Sequence, residues 1–294
     1  MIMKRLHIAG KLLKCLLLAG LLTGCQNEDV LAPADTVANV SNDQNAKITA
    51  EIRLVKEGEK IIQYHKSGRF AGYVSKVSEE YYYTTYSYVD GAVPGAYSIT
   101  SKQYAKGNDA LVKEVNYVIN EDGVCTKRHD LTSNKISNFT YKNRTRLEKI
   151  TLQGSSEKAE FIYIVASDTG KDRLYKIIHS NNNGAYKEIE FFYNMGVGTQ
   201  TKPDKYALNN EHTCLDKYLP IFGAFSDVIV QRAQITPLPY TNQSKPYYEY
   251  FYLLNNDGYP ISLDRRMYPI GKGFNAGKQT SVSLFKFSTQ WAGI

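Results

Sequence analysis

The chain has 294 residues, a formal net charge of +7, 24 tyrosines and a mean hydropathy of −0.40. It is long enough to bury roughly 70–75% of its unfolded surface, so one large domain or two small ones are allowed. The basicity does not imply a nucleic-acid partner. Without Lys4, Arg5, Lys11 and Lys14 the net charge falls to +3, and the remaining bases are interspersed with acids; even the dense cluster Lys142 to Lys149 contains Glu148.

Those four bases form a positive n-region, and the apolar run Cys15 to Leu22 follows them. Eight residues at the helical rise reach about 12 Å, against a bilayer core of roughly 30 Å, so a spanning helix is disfavoured. Leu22-Thr23-Gly24-Cys25 comes next. It resembles the lipobox of bacterial lipoprotein signal peptides, in which a thiol takes the diacylglyceryl group and small residues before it fit the signal peptidase. An ordinary secretory signal with a cysteine beside the cut is the competing reading. The resemblance implies cleavage after residue 24, lipid on Cys25 and attachment to the outer membrane, on its periplasmic or cell-surface face. With three acyl chains, at about 0.8 kcal/mol per buried CH₂, such an anchor is effectively permanent. Gln26-Asn27-Glu28-Asp29 is similar to the acidic export tag of Bacteroidota surface lipoproteins, or else begins a plain solvated tether.

Residues 25–46 are small and polar, contain Pro33 and keep no period, which predicts a flexible tether. From Lys47 the pattern alternates, with Ile48, Ala50, Ile52 and Leu54 on one side and Lys47, Thr49, Glu51 and Arg53 on the other, as in a half-buried strand. Short runs rich in Val, Ile, Tyr and Phe then recur between turn residues at Glu57-Gly58, Ser67-Gly68, Asp90-Gly91, Asp122-Gly123, Gly154-Ser155, Thr169-Gly170, Asn183-Gly184 and Asp257-Gly258. The connections are too short for crossover helices, so neighbouring strands should be antiparallel.

The expectation is an all-β domain over residues 47–294, a long antiparallel meander of about fifteen strands. An open sheet of that size exposes too much edge, so it should curl or close into a barrel-like sheet. One short helix is expected near 213–219, where Leu215, Tyr218, Leu219 and Phe222 fall at helical spacing behind Thr213 as N-cap. Pro220 should end or kink it.

Arg69-Phe70-Ala71-Gly72-Tyr73, Arg146-Leu147-Glu148-Lys149-Ile150 and Arg173-Leu174-Tyr175-Lys176-Ile177 share a phrase, with Tyr64 and Tyr141 five residues ahead of the first two. Related wording recurs at Tyr117 to Gly123 and Tyr252 to Pro260. These hairpins resemble those of an uncharacterised Bacteroidota lipoprotein family with a porin-like fold and, more distantly, the tyrosine–aspartate repeats of Rhs proteins. The Rhs pattern departs here, since its Tyr-Asp dipeptide and even period are missing. The family brings no known activity; the residues themselves read as strand, tight turn and next strand, which build architecture.

Chemistry is sparse. There is no Gly-x-Ser-x-Gly elbow, no His-Glu-x-x-His pair, no phosphate loop and no calcium loop, so no catalytic residue, metal site or cofactor is assigned. His65, His129, His179 and His212 are scattered singly. Cys125 and Cys214 are an even pair in a compartment that permits a disulfide; two unpaired buried thiols are the alternative, and a catalytic thiol is disfavoured because it would oxidise.

Two tyrosine faces are candidate ligand-binding strips: Tyr82, Tyr86 and Tyr88, and Tyr248, Tyr250 and Tyr252. Alternate side chains on a strand stand roughly 6.5–7 Å apart, so an extended glycan or peptide would fit along them. Cross-strand packing inside the sheet is the competing reading. Two functions remain: a lipid-anchored binding or structural protein of the envelope, or an envelope-associated hydrolase of extracellular polymer, the latter drawing on unplaced acids such as Glu79, Glu80, Asp227 and Asp264.

Overall fold

The structure, a computed structural model, describes residues 53–193, 212–213, 215–239, 245–256, 259–269 and 277–288, all within the compact unit Asp43–Ile294. The signal segment, Cys25 and the tether lie outside the described residues. So do most of the first alternating run, Asp257-Gly258 and Cys214.

Among the described residues, sixteen strands run in chain order. The first eight are β1 Leu54–Glu57, β2 Lys60–Tyr64, β3 Val74–Ser78, β4 Tyr82–Asp90, β5 Tyr97–Ala105, β6 Leu111–Ile119, β7 Cys125–Asp130 and β8 Lys135–Lys142. The others are β9 Arg146–Leu152, β10 Lys158–Val165, β11 Asp172–Asn181, β12 Gly184–Phe192, β13 Arg232–Pro237, β14 Tyr247–Leu254, β15 Pro260–Tyr268 and β16 Lys278–Phe287. Each pairs antiparallel with its sequence neighbours, and β1 pairs with β16, so the sheet is a closed barrel without free edges. Closure resolves the edge problem of a long meander.

The turn residues act as expected. Glu57-Gly58, Asp90-Gly91, Asp122-Gly123, Gly154-Ser155, Thr169-Gly170 and Asn183-Gly184 all stand at strand junctions. The three-residue β8–β9 loop, Asn143 to Thr145, uses Asn143 and Arg144 instead, whose φ of 51° and 68° supply the left-handed backbone of the turn.

Alternation gives the barrel an apolar inside. Tyr97 stands opposite Ile119, Ile99 opposite Tyr117 and Ser101 opposite Val115, all six buried. Buried Phe139, Phe161, Ile177, Ile189 and Phe191 continue this lining.

Residues 215–230, part of the chain between β12 and β13, plug the lumen. Leu219, Ile221, Phe222 and Phe225 are buried in the same core; Phe222 lies against Tyr117 and Phe139, and Phe225 stacks on Phe161. Backbone bonds fasten this plug to the wall, with Cys125 N–H donating to Ile221 O at 2.7 Å and Leu174 N–H to Phe225 O at 2.7 Å. Gly223, at φ 80°, passes so close to the Thr145 carbonyl that a Cβ there would overlap it.

The helix expected near 213–219 does not form among the described residues 215–219, where a bend at Leu215 and a turn at Lys217 and Tyr218 interrupt irregular backbone. Asp216 accepts the Tyr218 N–H at 3.1 Å, a local bond that competes with helical pairing, and Pro220 then removes a donor. The apolar spacing serves the plug instead.

The repeated tyrosine has a structural use. Near the ends of even-numbered strands, Tyr64, Tyr88 and Tyr141 donate their hydroxyls to the carbonyls of Leu54, Val74 and Cys125 at 2.6, 2.8 and 2.8 Å. Tyr193, just after β12, donates likewise to Leu174 O at 2.7 Å. Each acceptor lies at or near the start of the preceding strand, so the bond ties the two ends of one hairpin. Tyr141→Phe is expected to lower unfolding free energy by about 1 kcal/mol, measured by denaturant titration, since it removes one such bond and little volume.

Candidate functional site

The outer face of the barrel carries charged side chains at positions where a membrane barrel would be apolar. Directly opposed cross-strand ion pairs stand on it: Lys102–Glu114 at 3.4 Å, Lys149–Glu160 at 3.7 Å, Lys176–Glu190 at 3.2 Å and Arg232–Glu249 at 3.1 Å. The first three sit in the middle stretches of their strands. Lipid-facing charge at mid-depth costs about 2–4 kcal/mol per Lys or Arg, and a membrane barrel needs an apolar band about 25 Å tall. Exposed Phe251, Leu253, Val282 and Leu284 form an apolar patch on β14 and β16, interrupted by Asp264 and Ser262 of β15. Val89, Val118, Ile162 and Ile164 are exposed as well, on β4, β6 and β10, so apolar and charged side chains share the outer face.

A polar basin remains inside, between the plug and the inner wall of β2 to β7, with a volume of about 290 Å³. Its lining includes Lys60, Glu79, Lys113, Arg128, Asp216 and Lys217, with Tyr86, Tyr117 and Tyr218 among the rings. Lys60 pairs with Glu79 at 3.0 Å, and Lys217 pairs with Glu57, which also accepts the Tyr218 hydroxyl at 2.9 Å. Arg128 and Lys113 share one carboxylate, Asp130, at 3.5 and 3.8 Å.

Asp216 has no cation within ion-pair distance among the described residues. Its oxygens accept from Tyr86 OH at 3.2 Å and from Tyr218 N–H. Burial raises its pKa above the ordinary carboxylate range, while the Tyr218 and Tyr86 bonds and the fields of Arg128 and Lys113 hold it down in part. Burial likewise pushes the Tyr86 phenol well up, and the neighbouring Asp216 charge adds to this.

The tyrosine strips face inward. Tyr88 belongs to an aromatic cluster with Phe70, Tyr73 and Tyr97, and Tyr86 holds Asp216, while Tyr82 is exposed at the rim. On β14, Tyr250 is buried and its hydroxyl meets His212 Nε2 at 2.9 Å; the Tyr248 ring lies 5.1 Å from that imidazole, and Tyr252 packs on the core. Burial lowers the His212 pKa to about 4, with Arg265 and Lys187 adding to the shift.

Cys125 is a buried thiol pushed up to about 12 by desolvation, in contact with Lys127 O at 3.3 Å. Its expected partner Cys214 lies outside the described residues. The unplaced acids are dispersed: Glu79 lines the basin, Asp227 pairs with Arg173 and Asp264 is on the outer face with Arg266. Among the described residues, no group of three or more His, Cys, Asp or Glu side chains could hold a metal ion.

The basin was missed from the sequence, although a signal was present. Lys113 shares parity with core residues Val115, Tyr117 and Ile119, and a charge on an apolar strand face marks a polar interior.

Fold and site together define a plugged β-barrel with cross-strand ion pairs on its outer face and a polar internal basin. No protein-family model and no curated protein matches the sequence. Among solved structures, the chain is similar to a porin-like protein from Bacteroides uniformis, with TM-score 0.39 and 17% identity over 80% of this chain and 98% of that one. It is also similar to a porin-like protein from Bacteroides vulgatus, with TM-score 0.26 and 11% identity over 80% of this chain and 85% of that one. At that distance neither neighbour informs function.

Proposed function

We propose that the chain is an envelope lipoprotein held at the outer membrane by lipid on Cys25. Its barrel stands in water, and it works as a binding protein for a small polar ligand. The observation that carries this reading is the combination of opposed ion pairs outside with a lumen blocked by a plug packed among apolar side chains, which suits neither a lipid-facing wall nor a conducting pore. The lipobox supplies the anchor that such a barrel lacks, and the basin supplies an internal cavity of ligand size.

Metabolic labelling with a fatty-acid analogue tests the anchor. Label is expected on the wild-type chain and not on Cys25→Ala; label on both, or on neither, would overturn it.

A further inference from the structure

The basin's charges are not evenly matched. Lys60 with Glu79 and Lys217 with Glu57 are self-contained pairs. On the β6–β7 wall, however, Lys113 and Arg128 divide a single carboxylate, which already accepts the Ser133 N–H at 3.0 Å. That wall carries one positive charge in excess. On the plug, Asp216 carries a carboxylate whose nearest donors are a phenol and an amide. The two uncompensated charges sense each other's field without touching.

A cavity with a spare cation on one wall and a spare carboxylate on the other is complementary to a ligand of opposite polarity. A simple anion would satisfy Arg128 and leave Asp216 unmatched; a simple cation would do the reverse. Binding a molecule with both groups leaves no buried charge uncompensated, and its net charge of zero preserves the balance of the site. Arg128 is the more enclosed of the two bases, 20% exposed against 45% for Lys113, and its guanidinium can take a carboxylate in two-pronged fashion. The volume of about 290 Å³ is at the lower end of small-molecule pockets, which selects a compact ligand over an oligomer.

We propose that the basin is a binding site for a compact zwitterion of the α-amino-acid type, its carboxylate on Arg128 and Lys113 and its ammonium on Asp216. This rests on reading the barrel as a binding protein and names its ligand class.

Isothermal titration of the purified full chain with each common α-amino acid tests it, followed by the methyl ester and N-acetyl derivative of any that binds. At least one free amino acid is expected to bind, and each derivative to bind about ten- to a hundredfold more weakly, as loss of a charge-assisted contact implies. Asp216→Asn should weaken the free amino acid and leave its N-acetyl form unchanged, and Arg128→Gln should do the same with respect to the ester. Binding by no free amino acid, or a derivative that binds as tightly as its parent, overturns the proposal, and both are wild-type measurements independent of how the variants fold. Glucose and galactose, titrated in parallel, separate the two levels. A neutral sugar bound where no amino acid is would sink the zwitterion while leaving a binding barrel.

Discussion

Phe222→Ala is expected to lower unfolding free energy by about 3–5 kcal/mol, the cost of removing a large buried ring and leaving a cavity. The ring is 1% exposed and lies between Tyr117 and Phe139, so it joins the plug to two strands of the inner wall. Its neighbours cannot collapse into the space without drawing in Gly223, which already rests on the Thr145 carbonyl. Equilibrium denaturation measures the effect, with Val118→Ala, 47% exposed on the outer face, as the control expected to change little. Equal losses for the two variants would mean that the plug is not part of the cooperative core.

Asp227→Asn is the second large effect, about 3–5 kcal/mol at neutral pH, because it breaks an enclosed ion pair and strands its partner. Arg173 Nε meets Asp227 Oδ1 at 2.5 Å, and the two side chains are only 7% and 9% exposed. Asp168, 3.0 Å from the same guanidinium, remains as partial compensation and favours the lower half of that range. Hydrogen bonds from Arg173 hold the Asp227 carboxyl below its ordinary range, with the Thr169 hydroxyl helping against the cost of burial. A depressed carboxylate contributes stability that is present above its unfolded value near 4 and is lost as pH falls through the lower folded value. The gap between wild type and Asp227→Asn should therefore be widest near pH 7 and narrow below pH 4. A gap independent of pH would show that the pair's charge is not what fastens the plug.

Much of the architecture was readable because β-structure writes local signals. Alternation set the faces, and glycine beside Asp, Asn, Glu or Thr set the junctions. The strand count came close, at about fifteen against sixteen among the described residues. The misses are equally physical. Leu215, Tyr218, Leu219 and Phe222 have helical spacing, yet their partners are wall residues far away in sequence, and Pro220 with the Asp216 side chain diverts the backbone into turns. Asn143 and Arg144 form a tight turn without glycine, so composition gave no cue.

The site was harder to read than the fold. The tyrosine strips were visible as alternation, but which face is inside depends on closure, and closure places Tyr86, Tyr88 and Tyr250 in the interior. The basin unites residues from β2 to β7 and the plug, more than 150 positions apart at the extremes, Lys60 and Tyr218. No local pattern could have joined them. The charges at inward positions were legible one at a time, as exceptions to an apolar face.

The central claim is that this barrel stands in water and that only lipid on the N-terminal cysteine attaches it to the membrane. The most direct test inserts a specific protease-recognition sequence after Asn45, within the predicted tether, and cleaves washed native membranes that carry the protein. The barrel is expected to pass into the supernatant, still folded by its denaturation profile, while the lipidated stub stays behind. A barrel that remains with the membrane after complete cleavage and a carbonate wash would contradict it.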